Sequence, residues 1–239
     1  MMRGQSDVRG RWRVISWLAA IALALLIVTT NVRITANSAW LYERLFEHNE
    51  VPLRTGISMP DLRDIGLQIR HYFEGGTEPL EVIATLNGVE VSLFNEDEVA
   101  HMADVKELFV RTYLVQALSA LLLVMTGTIA YAKFRRGALG HVASWVEQGA
   151  VIASGVIIVI GVASVVAFKQ VFLLFHYIGF PQGNFTFNSR IDYLVRVFPN
   201  GFWEDITFAI GGMTLIEAGL LFGLVWLLRH RVTKKNRIT

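Results

Sequence analysis

The sequence contains no cysteine, and this absence removes a whole group of possible sites. Disulfides, thiolate metal sites and a cysteine nucleophile are all excluded. The sequence also lacks a G-x-S-x-G nucleophile elbow, a G-x-x-x-x-G-K-S/T phosphate loop and an H-E-x-x-H metal motif. Nothing in it points to a bound cofactor or to nucleic acid, and we expect neither. The chain therefore lacks the common signatures of covalent, nucleotide-dependent and zinc-dependent catalysis.

The sequence has four long apolar runs that contain no lysine and no arginine. Hydrophobic residues make up 53% of the chain, which is too apolar for an ordinary soluble domain. A bilayer core of about 30 Å needs roughly 20 apolar residues in a helix. The runs that meet this requirement are 14–32, 113–132, 150–168 and 208–228. We therefore predict an α-helical integral membrane protein with a four-helix transmembrane bundle.

The basic residues lie mostly on one side of these runs. The segments 1–13, 133–149 and 229–239 together contain 12 basic and two acidic residues. The segments 33–112 and 169–207 together contain 10 basic and 17 acidic residues. The positive-inside rule therefore predicts that both termini and the 133–149 loop are cytoplasmic, with the other two segments outside. We expect the first run to remain as an uncleaved anchor.

The outer segment 33–112 has the pattern of a small α+β cap. Ser58, followed by Pro60, indicates the start of a helix. Asn87-Gly88 between two short apolar runs is typical of a β-hairpin, because both turn residues must accept a positive φ. The cap is therefore predicted to contain a hairpin and helices.

A lone hairpin is marginally stable in water, so this one is expected to have a packing partner. We predict either a further strand within 39–54 or 184–198, or packing on the preceding helix. Asn95 and Glu98 follow as a capping box, which indicates a helix that runs on toward the 113–132 run.

The second outer segment, 169–207, is rich in aromatic residues. Such rings beside a membrane suit a lipid-contacting site, and they equally suit the interface between a cap and a helical bundle. The rings in question are Phe172, Phe175, Phe180, Phe185, Phe187, Phe198, Phe202 and Trp203.

Two histidines, His101 and His176, are the candidates for chemistry. His101 lies one helical turn from Asp97 and Asp104, whose carboxylates can orient an imidazole and raise its pKa. His176 follows the third apolar run. Together the two could supply a general base and a general acid, although spacing alone more often indicates two unrelated structural histidines. Two histidines without a third ligand are a weak zinc signal.

Residues 94–106 read FNEDEVAHMADVK. This stretch resembles the pattern F-x-E-x-E-x-x-H-M-x-D-V of a family of integral membrane proteins that includes the lipoprotein intramolecular transacylases. The resemblance extends over nearly the whole chain, including four spans in the same order. Its second motif is an F-H followed by aromatic residues and a late F-P, and it is similar to Phe175-His176, Asp192, Phe198-Pro199 and Phe202-Trp203.

The resemblance implies an activity. The transacylases of this family move an acyl chain within a diacylated bacterial lipoprotein. The chain leaves the sn-2 ester of the diacylglyceryl group and ends on the α-amine of the N-terminal cysteine, which gives the lyso form. The family's motif histidines fall on His101 and His176, at the extracytoplasmic face of the bacterial cytoplasmic membrane. We assign His101 as base and then acid, and His176 as oxyanion stabiliser, or the reverse.

The remaining members of the predicted site have supporting or substrate-binding roles: Asp97, Asp104, Lys106, Asn184 and Asp192. No metal and no cofactor is expected. The implied partners are membrane lipid and the diacylated lipoprotein, and the sequence leaves the oligomeric state open.

Two other classes of function remain as alternatives. One is a non-enzymatic membrane protein whose cap binds a lipid or a protein partner. The other is a transporter, which is less favoured because Glu217 is the only ionisable residue within four spans. An acid inside a membrane is a functional candidate. The more common arrangement would make Glu217 a protonated or hydrogen-bonded partner for Gln116 or Ser119.

Overall fold

The computed structural model describes residues 2–76, 78–86 and 88–235, and it is mostly helical. The elements are α1 Met2–Ala36, α2 Ala39–His48, α3 Val51–Thr55, α4 Met59–Phe73, β1 Ile83–Leu86, β2 Val89–Ser92, α5 Glu96–Phe134, a 3₁₀ turn Arg135–Gly137, α6 Ala138–Gly179, α7 Leu194–Val197 and α8 Asn200–Lys235.

Most of the chain lies in long apolar helices. Within the described residues, three helical stretches are long and apolar enough to cross a membrane: Trp12–Ala36, Glu96–Gly179 and Asn200–His230. The middle stretch contains both α5 and α6, joined by the 3₁₀ turn, and so it carries the two apolar runs 113–132 and 150–168. The prediction of a helical membrane protein with long apolar helices and a small β-hairpin is confirmed.

Helix α6 is interrupted close to its end. Ala167 has φ −151° and ψ 53°, which is outside the helical region. The residues from 168 to 179 therefore form a separate helical piece. This piece carries His176.

The chain divides into two compact units. The described residues up to 32, within 113–160 and from 210 onward form one, here called the helical unit. The described residues of 33–112 and 161–209 form the other, here called the cap unit.

Small residues allow the backbones within the helical unit to approach closely. A Cβ added at Gly149 would lie 2.8 Å from the carbonyl oxygen of Ala20, so α1 and α6 touch at that point. Ala19 and Ala130 are fully buried. Close approach of this kind supplies the van der Waals contact that holds helices together in lipid.

Polar side chains also connect helices of the helical unit. Asn31 on α1 donates hydrogen bonds to Thr214 and Glu217 on α8, at 3.1 Å and 3.0 Å. Gln116 on α5 donates to Thr30 on α1 at 2.9 Å. The acid within the fourth run thus has a hydrogen-bond partner on α1, one that the sequence did not suggest.

The cap unit begins its helices as the sequence predicts. The Ser58 side chain accepts a hydrogen bond from the backbone N–H of Asp61 and caps α4. Strands β1 and β2 pair antiparallel, with Leu86 opposite Val89, and confirm the hairpin. Gly88 has the positive φ, 82°, expected of the turn. Asn87, the other predicted turn residue, lies outside the described residues.

The hairpin packs on the preceding helix. Gln68 on α4 accepts a hydrogen bond from the Ile83 N–H and donates one to the Ile83 carbonyl, both at 3.1 Å. The alternative, a third strand, is wrong: 39–54 is helical, and the described residues of 184–198 form loop and helix. One amide side chain replaces a neighbouring strand because it supplies both a donor and an acceptor.

A single aromatic core fills the cap unit. Phe46 and Phe202 stack with ring centroids 5.7 Å apart, and both are almost fully buried. Leu62, Ile65 and Ile69 of α4 pack into the same cluster. Their spacing of three and four residues places these aliphatic side chains on one face of α4. The cluster ties α2, α4 and the start of α8 together, and it supports the site described next.

Candidate active site

The first turn of α5 positions His101. The backbone N–H of Asn95 donates to Glu98 Oε2 at 2.8 Å, and the N–H of Glu98 donates to Asn95 Oδ1 at 3.0 Å. This reciprocal pair is the predicted capping box. His101 lies three residues after Glu98 on the same helix, and only 6% of its surface is exposed.

The helical piece that follows Ala167 positions His176. The Nδ1 of His176 lies 2.8 Å from the carbonyl oxygen of Phe172, one turn earlier. A carbonyl oxygen can only accept, so Nδ1 carries the proton. The neutral ring therefore has its lone pair on Nε2. This tautomer leaves Nε2 available as a base.

The two imidazoles lie together within the cap unit. Their ring centroids are 5.9 Å apart and their planes differ by 19°. His101 is buried and His176 is half-buried. A substrate group of a few atoms would be within reach of both rings. Two residues 75 positions apart in sequence are thus brought to one place by α5 and the end of α6.

Aromatic rings enclose both histidines. Phe180 and Phe187 lie 4.8 Å and 5.4 Å from His101, measured between ring centroids. Phe172 and Phe185 lie 4.3 Å and 5.2 Å from His176. These rings come from the aromatic segment that the sequence left as either lipid-contacting or structural. In the structure these four rings, here called the aromatic wall, surround the histidine pair and lower the polarity of its environment.

This environment lowers the pKa of both histidines. Burial and, to a smaller extent, the neighbouring His176 lower the pKa of His101 to about 4, although Asp104 and Asn184 oppose the shift. Burial also lowers the pKa of His176, against the Phe172 hydrogen bond that raises it. The sequence-based expectation that carboxylates would raise the pKa of His101 is wrong, because desolvation outweighs the attraction of Asp104.

Asp104 and Asn184 flank His101. The Asn184 amide donates to Asp104 Oδ2 at 2.5 Å. The Oδ1 of Asn184 and the Nδ1 of His101 are both buried without a partner of hydrogen-bond geometry. Asn184 nevertheless raises the pKa of His101 through a side-chain hydrogen bond, so the two groups are close but not well aligned.

The other predicted supporting residues lie apart from the histidine rings. Asp97 is exposed. Lys106 donates to the Gly76 carbonyl at 2.8 Å and pairs with Glu78 at 3.1 Å, so it holds a loop. Asp192 accepts from the Asn95 side chain at 3.0 Å and connects to the start of α5. Of the five supporting residues, Asp104 and Asn184 therefore flank the histidine pair directly.

Sequence reasoning gave Glu98 only a capping role. In the structure its side chain is 1% exposed and also accepts from the Leu194 N–H at 2.6 Å. Burial raises the pKa of Glu98, although backbone hydrogen bonds from Leu194 and Asn95 oppose the shift. Its place in a capping box does indicate one partner, but no local pattern points to a contact 96 residues away.

Among the described residues, no group of three or more histidine, cysteine, aspartate or glutamate side chains could hold a metal ion. The chemistry available at the histidine pair is proton transfer by imidazole in an aromatic surrounding. Such a site can deprotonate a nucleophile and protonate a leaving group.

Comparisons with known proteins identify structures of the same fold. Three solved structures of the membrane-integral lipoprotein intramolecular transacylase Lit from Bacillus cereus share the fold. One is 17% identical, with a TM-score of 0.78, and the match covers 96% of this chain and 99% of that one. A variant with a histidine replaced by arginine is 17% identical, with a TM-score of 0.77 and full coverage of both chains. A variant with alanine at that position is 16% identical, with a TM-score of 0.76, covering 99% and 100%.

A search of curated proteins gives no match. A family model decides the identity. The model described as lipoprotein intramolecular transacylase Lit matches residues 17–203, which is most of the chain. Members of this family are membrane enzymes that form lyso-form lipoproteins, so the non-enzymatic and transporter alternatives fall away. The chain belongs to the Lit family of lipoprotein intramolecular transacylases.

Proposed function

We propose that His101 and His176 together catalyse the transfer of the sn-2 acyl chain of a diacylglyceryl lipoprotein to the α-amine of its N-terminal cysteine. The observation that carries this proposal is the 5.9 Å separation of the two rings in an aromatic site. Ester and amine belong to one substrate molecule, so no enzyme nucleophile is required. Holding the two groups together supplies much of the rate through proximity.

The bond changes define what the site must do. The amine nitrogen forms a bond to the acyl carbon, and the bond from that carbon to the glycerol oxygen breaks. One proton leaves the attacking nitrogen and another reaches the departing oxygen. A single imidazole can accept the first and donate the second, acting as general base and then general acid.

His176 is the better candidate for that role, which the sequence analysis first assigned to His101. Its Nδ1 proton is held by the Phe172 carbonyl, which leaves the Nε2 lone pair for the substrate. Burial, and to a smaller extent the neighbouring His176, lowers the pKa of His101 to about 4, so His101 holds a proton poorly. The imidazole that retains the proton taken from the amine is the one that can later donate it to the departing glycerol oxygen.

His101 then acts as a neutral hydrogen-bonding partner of the amine. The Asp104 carboxylate can only accept, which fixes the Asn184 amide with its NH₂ toward Asp104 and its Oδ1 toward His101. The poorly aligned contact between Asn184 and His101 would tighten when substrate binds, as catalytic hydrogen bonds often do. His101 Nδ1 would then donate to Asn184, and Nε2 would accept from a substrate N–H.

The membrane arrangement that suits this substrate has four spans, 14–32, 113–132, 150–168 and 208–228, with both termini cytoplasmic. The 12-to-2 excess of basic over acidic residues in the termini and the 133–149 loop supports it. Both histidines lie on helices beyond the apolar runs, where the ester of a membrane-anchored lipoprotein meets water.

The proposal is tested by co-expressing the chain with a diacylated lipoprotein in a host without such an activity. Tandem mass spectrometry of the N-terminal peptide should find one acyl chain on the α-amine with the total mass unchanged. The variant carrying both His101→Ala and His176→Ala is the matched control and should leave the N-terminus diacylated on glycerol. An unmodified N-terminus with the folded wild-type chain present would exclude the proposed function.

A further inference from the structure

Glu98 is a buried titratable group with no part in the proton transfers proposed above. Its Oε2 accepts from the Asn95 N–H at 2.8 Å and its Oε1 accepts from the Leu194 N–H at 2.6 Å. The side chain is 1% exposed. Burying a carboxyl group is costly unless hydrogen bonds compensate, and here two backbone donors from separate segments do so.

Two further residues extend these contacts. The Asn95 side chain donates to Asp192 Oδ1 at 3.0 Å, and Asp192 Oδ2 accepts from the Asn188 N–H at 2.6 Å. Glu98, Asn95 and Asp192, here called the latch, therefore connect the start of α5 to the 188–194 segment. All of these contacts lie within the cap unit.

The two segments that the latch joins carry the two sides of the histidine site. His101 follows Glu98 by one turn of α5. Phe187 and Asn184, which flank His101, precede Asn188 in the segment that Asp192 and Glu98 hold. Both carboxylate oxygens of Glu98, in the first turn of α5, accept hydrogen bonds, and one of these bonds comes from Leu194 in the other segment. The latch thus connects the helix that carries His101 to the segment that carries Asn184 and Phe187.

We propose that Glu98 is a positioning residue for the acyl transfer, because it holds the 184–194 segment against the start of α5. Its Oε1 accepts from the Leu194 N–H of that segment, while its Oε2 is fixed at the start of α5 by the Asn95 N–H. This inference rests on the proposed function. Misplacement of catalytic groups by about 1 Å can cost about 100-fold in rate, so loss of the Glu98 hydrogen bonds is expected to lower the rate measurably. The carboxylate itself does not touch the reacting atoms.

The first experiment measures kcat and KM on a synthetic diacylglyceryl-cysteinyl lipopeptide with the full-length chain in detergent. Glu98→Ala removes both acceptors and should lower kcat by about 10- to 100-fold, with a smaller change in KM. Glu98→Gln keeps one acceptor oxygen and should give an intermediate kcat. Glu96→Gln, an exposed acid in the same turn, is the matched control and should keep the wild-type kcat. A wild-type kcat in folded Glu98→Ala would overturn the proposal.

The second experiment does not depend on activity. Because the chain has no cysteine, two introduced at the exposed positions Asp97 and Ser189 can be spin-labelled selectively. The distance distribution between the labels should be narrow with Glu98 present and should broaden with Glu98→Ala. Equal widths would overturn the proposal, and if Glu98→Ala does not fold, Glu98→Gln decides by the same two measurements. Loss of transfer in every chain, wild type included, would instead refute the proposed function.

Discussion

The Nδ1 of His176 lies 2.8 Å from the carbonyl oxygen of Phe172 and donates to it. This single contact fixes the tautomer of His176 and leaves Nε2 as the acceptor. The ring of His176, half-buried near the end of α6, is thus held in orientation by its own helix, as the proposed role of general base requires.

Removal of either imidazole should stop most of the transfer. His176→Ala loses general base and acid catalysis, which is typically worth a factor of about 10² to 10⁴. His101→Ala should lose a comparable amount, and the double variant should be little worse than either single one, since residues acting as a unit are not additive. Initial rates of lipopeptide conversion, compared at equal amounts of folded protein, measure this.

His71→Ala is the control for these substitutions, because His71 is exposed on α4 of the same unit. It should retain the wild-type rate. A fully active His176→Ala chain at normal expression would contradict the assignment of the base. A loss in the double variant equal to the product of the single losses would show that the two imidazoles act independently.

The lowered pKa of His101 predicts a pH dependence of stability. The pKa falls from 6.5 to about 4 in the folded chain, chiefly through burial. Between these values the unfolded chain binds more protons, so the stability is fully present above the unfolded pKa and is lost as the pH falls toward 4. The full effect of such a shift is of order 3 kcal/mol.

Thermal unfolding in detergent from pH 7 to pH 4 measures this effect in wild type and in His101→Gln. Other acidic groups titrate in both proteins, so the difference between the two curves isolates His101. Wild type should lose more stability than the variant as the pH falls. Parallel curves would show that His101 does not titrate abnormally.

The sequence was most informative where local rules apply. The Ser58 cap, the Asn95–Glu98 capping box and the hairpin follow from residues a few positions apart, and the apolar runs follow from their composition. His101 and His176 were singled out by the surrounding motifs. The structure adds what depends on contacts between distant segments: the Glu98 to Leu194 bond, the aromatic wall and the desolvation that lowers the pKa of His101.

The hairpin shows why such contacts escape sequence analysis. The need for a partner followed from the marginal stability of a lone hairpin, but three partners were compatible with the pattern. In the structure the side-chain amide of Gln68 bonds both backbone groups of Ile83, so the hairpin packs on α4. Nothing about a glutamine on a helix surface distinguishes that role beforehand.

Four spans with cytoplasmic termini can be tested by cysteine labelling, since the chain has no cysteine of its own. Gly137→Cys and Glu81→Cys place single thiols at exposed positions. In intact cells a membrane-impermeant maleimide should label the Glu81→Cys chain, and the Gly137→Cys chain only after the membrane is permeabilised. Labelling of both without permeabilisation would rule out this topology.

Glu217 should prove structural rather than catalytic. It accepts from Asn31 at 3.0 Å, and Asn31 also donates to Thr214, so the acid joins α8 to α1. Glu217→Gln keeps an oxygen that can accept from Asn31, so both activity and stability should stay near wild type. Glu217→Ala removes the acceptor and should cost about 0.6 to 2 kcal/mol of stability, the range found for hydrogen bonds between membrane helices.

The two Glu217 variants separate hydrogen bonding from proton chemistry. A glutamine can replace an acceptor oxygen but cannot carry a proton on and off. Normal lipopeptide conversion by Glu217→Gln, with a lowered unfolding temperature only in Glu217→Ala, is the result expected of a link between helices. Loss of conversion in Glu217→Gln at normal stability would instead make the carboxyl group part of the reaction, because the amide differs from it chiefly in being unable to titrate.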